Sequence, residues 1–376
     1  MSEIKVNSIK GVGASAAAIT VNNTDGTCTA NIINNLSNRR LTINGAMTIS
    51  QRGTSSTTNG YGSVDRFAVY YGGTDEAPTH AQVDVASGTT PYTSGFRKAL
   101  KTTNGNQTSG AGADDYILIR QSLEAQDIAN SGWNYVSTSS YITLSFWVKS
   151  SVAQNFYGHV RNVDGTSQNY PFETGSLSAD TWTKVTKTIP GNSNLQFDND
   201  ANKGLEINIV PFYGTTYTSG VSLNAWSAYG SAADLTPDQT STWYTTNDAT
   251  FEMTGVQLEV GSVATDFEHR SFGQELKLCK RYFEHFNPSL YVLARYSAGS
   301  SGGAYNWHTF EVEKRAAPTG SFSGTFTSSG GYAGNPVFTL ADSRGVAINS
   351  TNTVATNGIL YLDDSGSAFC KFDAEL

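Results

Sequence analysis

Charge is scarce in this sequence. Asp, Glu, Lys and Arg make up 15% of 376 residues, against roughly 25% in an average soluble chain. The charge present leans acidic, with a net of −8, and no run of Lys or Arg offers the basic face that neutralises phosphates, so no nucleic-acid partner is expected. Long apolar runs are missing too. The longest are strand-length, such as 117–119 and 141–148, far short of the ~20 residues of a spanning helix, so no membrane insertion is expected. Residues 1–13 hold no apolar signal-peptide core, which predicts a chain made and folded in the cytosol unless a larger assembly carries it out. The three cysteines, Cys28, Cys279 and Cys370, show neither CxxC nor metal-ligand spacing and read as free thiols. The five histidines are scattered, with no HExxH and no Walker-type loop.

What is plentiful is glycine, at 37 residues, together with 19 Tyr, 18 Phe and 6 Trp. A disordered chain would lack the aromatics, and a helical bundle would be rich in Ala, Glu, Lys and Leu. Small turn-formers plus aromatics suit short strands joined by tight turns. Strand patterns recur at 63–71, 81–85, 96–101, 116–121, 141–150, 156–162, 183–189, 205–212 and 251–260. Ile142, Leu144, Phe146 and Val148 share one face, as do Leu205, Ile207 and Ile209, leaving Glu206 and Asn208 toward solvent or a neighbour. The expected fold class is all-β: a jelly-roll β-sandwich over 41–271, a connecting helix over 272–288, and a smaller C-terminal β domain over 289–376. The helix is predicted from Phe272, Leu276, Cys279, Phe283 and Phe286 at spacings of four and three, with Ser271 as N-cap. Residues 1–40 carry too few large apolar side chains for a core of their own, and are expected to become ordered on a partner.

No catalytic constellation stands out, and none is expected. The GxSxG match at 299–303 lacks the following helix of a nucleophile elbow and reads as a Gly/Ser loop. Two carboxylates with no local motif could hydrolyse a glycoside, and Asp114, Asp115, Glu124, Asp127 and Glu259 could supply them. The stretch Asp198-Asn-Asp-Ala-Asn202 alternates oxygen ligands, but Lys203 stands where a calcium loop needs Gly, so it reads as a solvated turn. No cofactor is expected, and the sequence leaves metal binding open. Aromatics beside loops are the better lead, because their faces stack on sugar C–H faces. Trp133, Tyr135, Tyr157, Tyr170, Trp226 and Trp243 are the candidate glycan contacts, weighed against the ordinary structural use of such rings. Trp147 and Trp182 lie in or beside strand patterns and read as structural.

Three stretches carry a resemblance. The first is Leu41-Thr-Ile-Asn-Gly-Ala-Met-Thr-Ile-Ser-Gln-Arg-Gly-Thr54 with Val64-Asp-Arg-Phe67. The second is Tyr116-Ile-Leu-Ile-Arg-Gln-Ser-Leu-Glu-Ala-Gln-Asp-Ile128 with Leu144-Ser-Phe-Trp-Val-Lys-Ser-Ser151. The third is Thr254-Gly-Val-Gln-Leu-Glu-Val-Gly-Ser-Val-Ala-Thr-Asp-Phe-Glu-His-Arg270 with Leu278-Cys-Lys-Arg-Tyr-Phe283. With Ala316-Ala-Pro-Thr319 and Asp373-Ala-Glu-Leu376, they resemble virion structural and tail fibre proteins of marine bacteriophages, over roughly 41–376. The resemblance implies a virion location after assembly in the host cytoplasm, attachment to other virion proteins through 1–40, contact with a host surface glycan or receptor, and a homotrimer. The central region is similar to jelly-roll carbohydrate-binding modules, which often hold calcium through an acid on the last strand. Here Met253-Thr-Gly-Val256 has no acid. The alternatives to a tail fibre are a decoration protein without receptor contact and a surface-polysaccharide depolymerase.

Overall fold

The computed structural model describes residues 6–10, 12, 17–21, 24, 28–30, 39–287, 291–296, 304–324, 326–327, 336–350, 358–364 and 368–376. Strands β1 (Ser8–Ile9), β2 (Ile19–Val21) and β3 (Cys28–Ala30) form a small antiparallel sheet. Most of the segment expected to anchor the chain, 1–40, lies outside the described residues, as do the GxSxG match at 299–303 and the Cys28 side chain.

Twelve described strands then build the sandwich: β4 (Ser55–Ser56), β5 (Ala68–Gly72), β6 (Thr79–Asp84), β7 (Lys98–Thr103), β8 (Tyr116–Glu124), β9 (Tyr141–Ser150), β10 (Asn155–Asn162), β11 (Gln168–Ser176), β12 (Thr183–Pro190), β13 (Lys203–Tyr213), β14 (Ser227–Ala228) and β15 (Thr250–Val260). They divide into two six-stranded antiparallel sheets. The front sheet has the order β14-β11-β10-β13-β8-β5, and the back sheet β12-β9-β15-β7-β6-β4. Neighbours in space are distant in sequence, as in a jelly roll. The fold is all-β, a sandwich with a smaller C-terminal β region.

Alternation explains the layers. Ile142, Leu144, Phe146 and Val148 of β9 meet Ile207 and Ile209 of β13, with Phe156, Trp243 and Phe251 filling the middle. Each such side chain contributes about 1.5–3 kcal/mol by leaving water. Strand β11 was not legible in the sequence because Pro171 interrupts it. The proline is tolerated because β14 pairs with β11 only opposite Gln168 and Asn169, so the missing N–H falls where no ladder bond is needed.

The helix is shorter than its 272–288 expectation. It spans Phe272–Lys280, opened by Ser271 in a capping box with Gln274. Past Arg281 the chain turns, and Phe283–Phe286 is a strand paired with Phe369–Asp373. Aromatic spacing alone could not separate the two, because Phe283 and Phe286 are buried or half-buried in either conformation. The C-terminal region has three three-stranded sheets among the described residues, with Phe286, His308, Phe310 and Phe338 gathered about the buried Phe372.

The strings that carried the resemblance meet at one junction. Glu275 of the helix, buried, pairs with Arg40 and accepts from the Asn44 amide. The Asn44 side chain donates to Ile49 and Asp65 carbonyls at 2.8 and 2.9 Å. Arg52 reaches Asp373 at 2.8 Å and Glu375 at 3.3 Å. Arg66, fully buried and left-handed at φ 70, pairs with Glu375, donates to the Ser122 carbonyl at 2.6 Å and lies 3.4 Å over the Tyr282 ring. Burial opposes the charge on Arg66, yet Glu375, Tyr282, Tyr61 and Cys279 together outweigh it and hold the guanidinium above its ordinary value. These motif residues bind the start of the sandwich, the helix and residues 373–376 into one unit.

Candidate functional site

The outer face of the front sheet carries a polar row where a solvent-facing sheet would show isolated side chains. Strand pairing sets it out in two lines. Ser122, Glu206, Arg161 and Asn169 stand opposite one another across β8, β13, β10 and β11, and Arg120, Asn208 and His159 form the next line. Being two apart on each strand, all of them project to the face away from the core.

Glu206 is 1% exposed, and three cations surround it. Lys203 lies at 2.9 Å, Arg120 at 3.1 Å and Arg161 at 3.9 Å. Burial raises the cost of ionising Glu206, but Arg120, Lys203 and Arg161 together hold its carboxyl below the usual range. Arg120 also donates to Asn208 Oδ1 at 2.7 Å. Asn169 donates its amide to the carbonyls of Asp234 and Leu235 at 2.8 and 2.9 Å, so its oxygen is left to accept from His159 Nδ1 at 2.8 Å. That arrangement assigns the His159 proton to Nδ1 and leaves Nε2 to accept from the Tyr213 hydroxyl at 3.3 Å. Burial, and then Arg120, push the His159 imidazolium down to about 3.

Four buried polar atoms of this row have no hydrogen-bond partner: Glu206 Oε2, Asn208 Nδ2, Arg161 Nε and Ser122 Oγ. All four are closed off from solvent, and two of them, Glu206 Oε2 and Arg161 Nε, face each other at 3.9 Å. Half-buried tyrosines stand at both sides, Tyr70 with Arg120 at 5.2 Å and Tyr229 with Arg161 at 4.3 Å. The 214–240 segment covers the neighbouring part of the face, where Leu235 packs on Leu118, Val210 and Tyr213. The partly exposed groups of the row are the Arg120 and Arg161 guanidinium groups, which offer donors beside the two aromatic rings.

The six aromatic candidates are placed elsewhere, with one exception. Trp133, Tyr170 and Trp243 are 3%, 2% and 0% exposed in the core between the sheets. Their rings are covered by protein, which corrects their assignment as glycan contacts. Tyr135 is half-buried edge-on to Phe197 at 5.0 Å. Trp226 closes the sandwich edge by donating to the Pro190 carbonyl at 2.7 Å and packing on Tyr170. Only Tyr157, on β10 two residues before His159, lies on the outer front face. The sequence signal for the row was the polar alternation of β13 and β10, not the aromatics.

Of the carboxylates weighed for hydrolysis, Glu124 and Asp127 lie near each other, and the others are spread over the sandwich. Asp115 and Glu124 flank the ends of β8, about 30 Å apart by strand rise. Asp115 accepts from the Gly112 amide at 2.6 Å and Asp114 from Thr216 at 2.6 Å. Both Glu124 oxygens take Arg281 donors at 2.7 Å, beside Asp127, whose carboxyl burial pushes up. Glu259 holds Thr265 and Arg39. In the 198–202 turn, Asp200 accepts from Asn202. Among the described residues, no group of three or more His, Cys, Asp and Glu side chains is arranged to hold a metal.

No protein-family model matches the chain, and no curated protein resembles it significantly in sequence. Several solved structures are similar in part. The enzymatically active domain of bacteriophage CBA120 tailspike protein 4 shares 11% identity over 59% of this chain at a TM-score of 0.31, and the match spans only 21% of the tailspike chain. The N-terminal cellulose-binding domain of Cellulomonas fimi β-1,4-glucanase C shares 13% over 57% of this chain and 98% of its own, at 0.28. A putative sugar binding protein from Bacteroides thetaiotaomicron shares 11% over 59% of this chain and all of its own, at 0.30. At this level the likenesses carry no argument about what this chain binds.

Proposed function

We propose that this chain is a non-catalytic virion protein, a tail fibre or related appendage, whose front sheet contacts a host surface saccharide. The observation that carries the saccharide part is the outer front face, where the partly exposed guanidinium groups of Arg120 and Arg161, held by the buried Glu206, stand beside the half-buried rings of Tyr70 and Tyr229. The guanidinium groups donate to sugar hydroxyls, and the rings supply apolar faces. The resemblance of the 41–54, 116–151 and 254–283 strings to phage virion proteins supports the virion part, as several copies acting together would strengthen weak contacts. On this reading residues 1–40 join the particle, and the copies form a trimer.

Binding of the purified chain to a panel of bacterial surface polysaccharides tests the saccharide part. Arg120→Gln and Arg161→Gln should each lose about 10–100-fold in affinity, the value of one charged hydrogen bond, with unchanged circular dichroism. Full affinity in both folded variants would remove the row from the binding surface. Release of reducing ends from the same panel would overturn the non-catalytic reading. Absence of the chain from purified particles, assayed by mass spectrometry, would overturn the virion reading.

A further inference from the structure

The back sheet has a cleft of its own, on the side of the sandwich opposite the polar row. Its volume is about 510 Å³, against about 580 Å³ for a cavity lined by Arg39 and Arg40, both within the ~300–1,000 Å³ of small-ligand sites. The arginine cavity is already neutralised, since Arg39, Arg40 and Arg270 face Glu259, Glu275 and Glu268. The back cleft differs. Its walls are Phe96, Trp147, Phe267 and His269, and its polar groups are Ser145, Lys184 and Asp266.

Those walls are held in place by backbone that only glycine adopts easily. Strand β15 shifts register against β9 between Thr254 and Gln257, and Gly255 within that bulge has φ 66, where a Cβ would come within 2.7 Å of the Phe96 ring. Gly95 has φ 97, and a Cβ there would lie 2.8 Å from His269 Nε2. Phe267 is edge-on to Phe96 at 4.8 Å, and His269 meets both rings at 5.1 and 4.8 Å. A His269 ring nitrogen also bonds the Ser94 carbonyl at 3.1 Å. Bulges commonly re-aim side chains beside functional sites, and this one shapes the cleft floor.

Trp147 projects outward from β9, opposite Lys184 on β12 and Thr254 on β15, and stays half-buried. We propose that this cleft is a second saccharide site, independent of the front row, taking an uncharged sugar whose C–H face stacks on Trp147. One exposed cation, Lys184, and one exposed carboxylate, Asp266, balance each other, so the cleft favours no net ligand charge. Each can bond a ring hydroxyl, and Ser145 offers a third contact. The aromatic strip continues past the cleft, with Trp182 under Lys149 at 5.3 Å.

The test is titration of the ¹⁵N-labelled full chain with cellotriose, xylotriose, maltotriose, chitotriose and mannotriose, following the tryptophan indole N–H signals. The Trp147 signal is assigned by its loss in Trp147→Phe. At least one trisaccharide should shift it at about 10 mM or below, the millimolar affinity of a shallow site. The exposed Lys184→Ala should weaken that binding several-fold without unfolding, and Glu206→Gln should leave it unchanged. If no trisaccharide moves the Trp147 indole, or Lys184→Ala binds as tightly as the parent, the cleft is not a saccharide site. If Glu206→Gln abolishes the shift, the two faces are not independent.

Discussion

Replacing Glu375 by alanine should cost this protein more stability than any exposed ion-pair variant. Glu375 is 6% exposed and its carboxylate serves both Arg66 and Arg52. Arg52 keeps Asp373 at 2.8 Å and Asp65 at 3.9 Å. Arg66 keeps only the Ser122 carbonyl and the Tyr282 ring, neither of which neutralises a fully buried charge. Removing one partner of a buried pair costs about 3–5 kcal/mol, because the other is stranded in low dielectric. Arg66 also sits at φ 70, a conformation about 1–2 kcal/mol uphill for a side-chain-bearing residue, so its contacts hold a strained turn as well. The control is Asp84→Ala, which breaks the exposed pair with Lys98, 38% and 82% accessible, and should cost about 0–1 kcal/mol. Urea unfolding followed by tryptophan fluorescence reads both. With a slope of about 3 kcal/mol/M, Glu375→Ala should lower the midpoint by roughly 1–1.7 M and Asp84→Ala by at most about 0.3 M. Equal midpoints in the two variants would refute the reasoning that the junction is an ionic lock.

Two further outcomes follow from buried groups. His159 is neutral in the fold, its imidazolium pushed down to about 3, while in the unfolded chain it protonates near 6.5. Between those values the unfolded state binds the extra proton, so stability is lost as pH falls through about 6.5, by at most about 5 kcal/mol at pH 3. Asp65, raised to about 6 by burial against the pull of Arg52, acts in the opposite sense over about pH 4–6 but is common to both proteins. His159→Gln should therefore flatten the fall of the urea midpoint between pH 7 and pH 4, and a slope parallel to the parent would refute the neutral-histidine assignment. The thiols of Cys279 and Cys370 are buried. Burial, with Asp65 and Glu275 nearby, pushes Cys279 well up, and burial pushes Cys370 to about 12. Peptide mapping after iodoacetamide at pH 8 should find both unmodified in the native protein and both modified in urea, and native labelling of either would contradict the packing around it.

The long strands could be read directly because their apolar residues alternate. The 141–150 expectation coincides with β9, and 205–212 lies within β13. Strand β11 was hidden by its proline, and the Phe283–Phe286 strand by a spacing that also fits a helix turn. The site was half-legible. Alternation already turned Glu206 and Asn208 away from the core, but not which cations would close over Glu206, because Arg120 and Arg161 come from strands 40 and more residues away and meet it only through the sheet order. Tryptophans were the hardest residues to place. Trp133 and Trp243 follow loop-like sequence yet are swallowed by the core, since large rings plug the open ends of a sandwich. Trp147 sits in a perfect strand pattern, where alternation sends it to the outer face and it packs on the Val85, Phe96 and Ala99 cluster.

The Arg66–Glu375 contact joins residues 309 positions apart. On a ribosome adding about 5–20 residues per second, that leaves roughly 15–60 s during which the guanidinium has emerged and its counter-charge has not. The nascent sheets can collapse in that interval, but the welded state waits until Glu375 has emerged, long after the strands of the sandwich have been made. A stalled or prematurely released chain would hold nearly every strand of the sandwich and still lack the residue that seals it, which makes such fragments the species a cell's quality control would meet first.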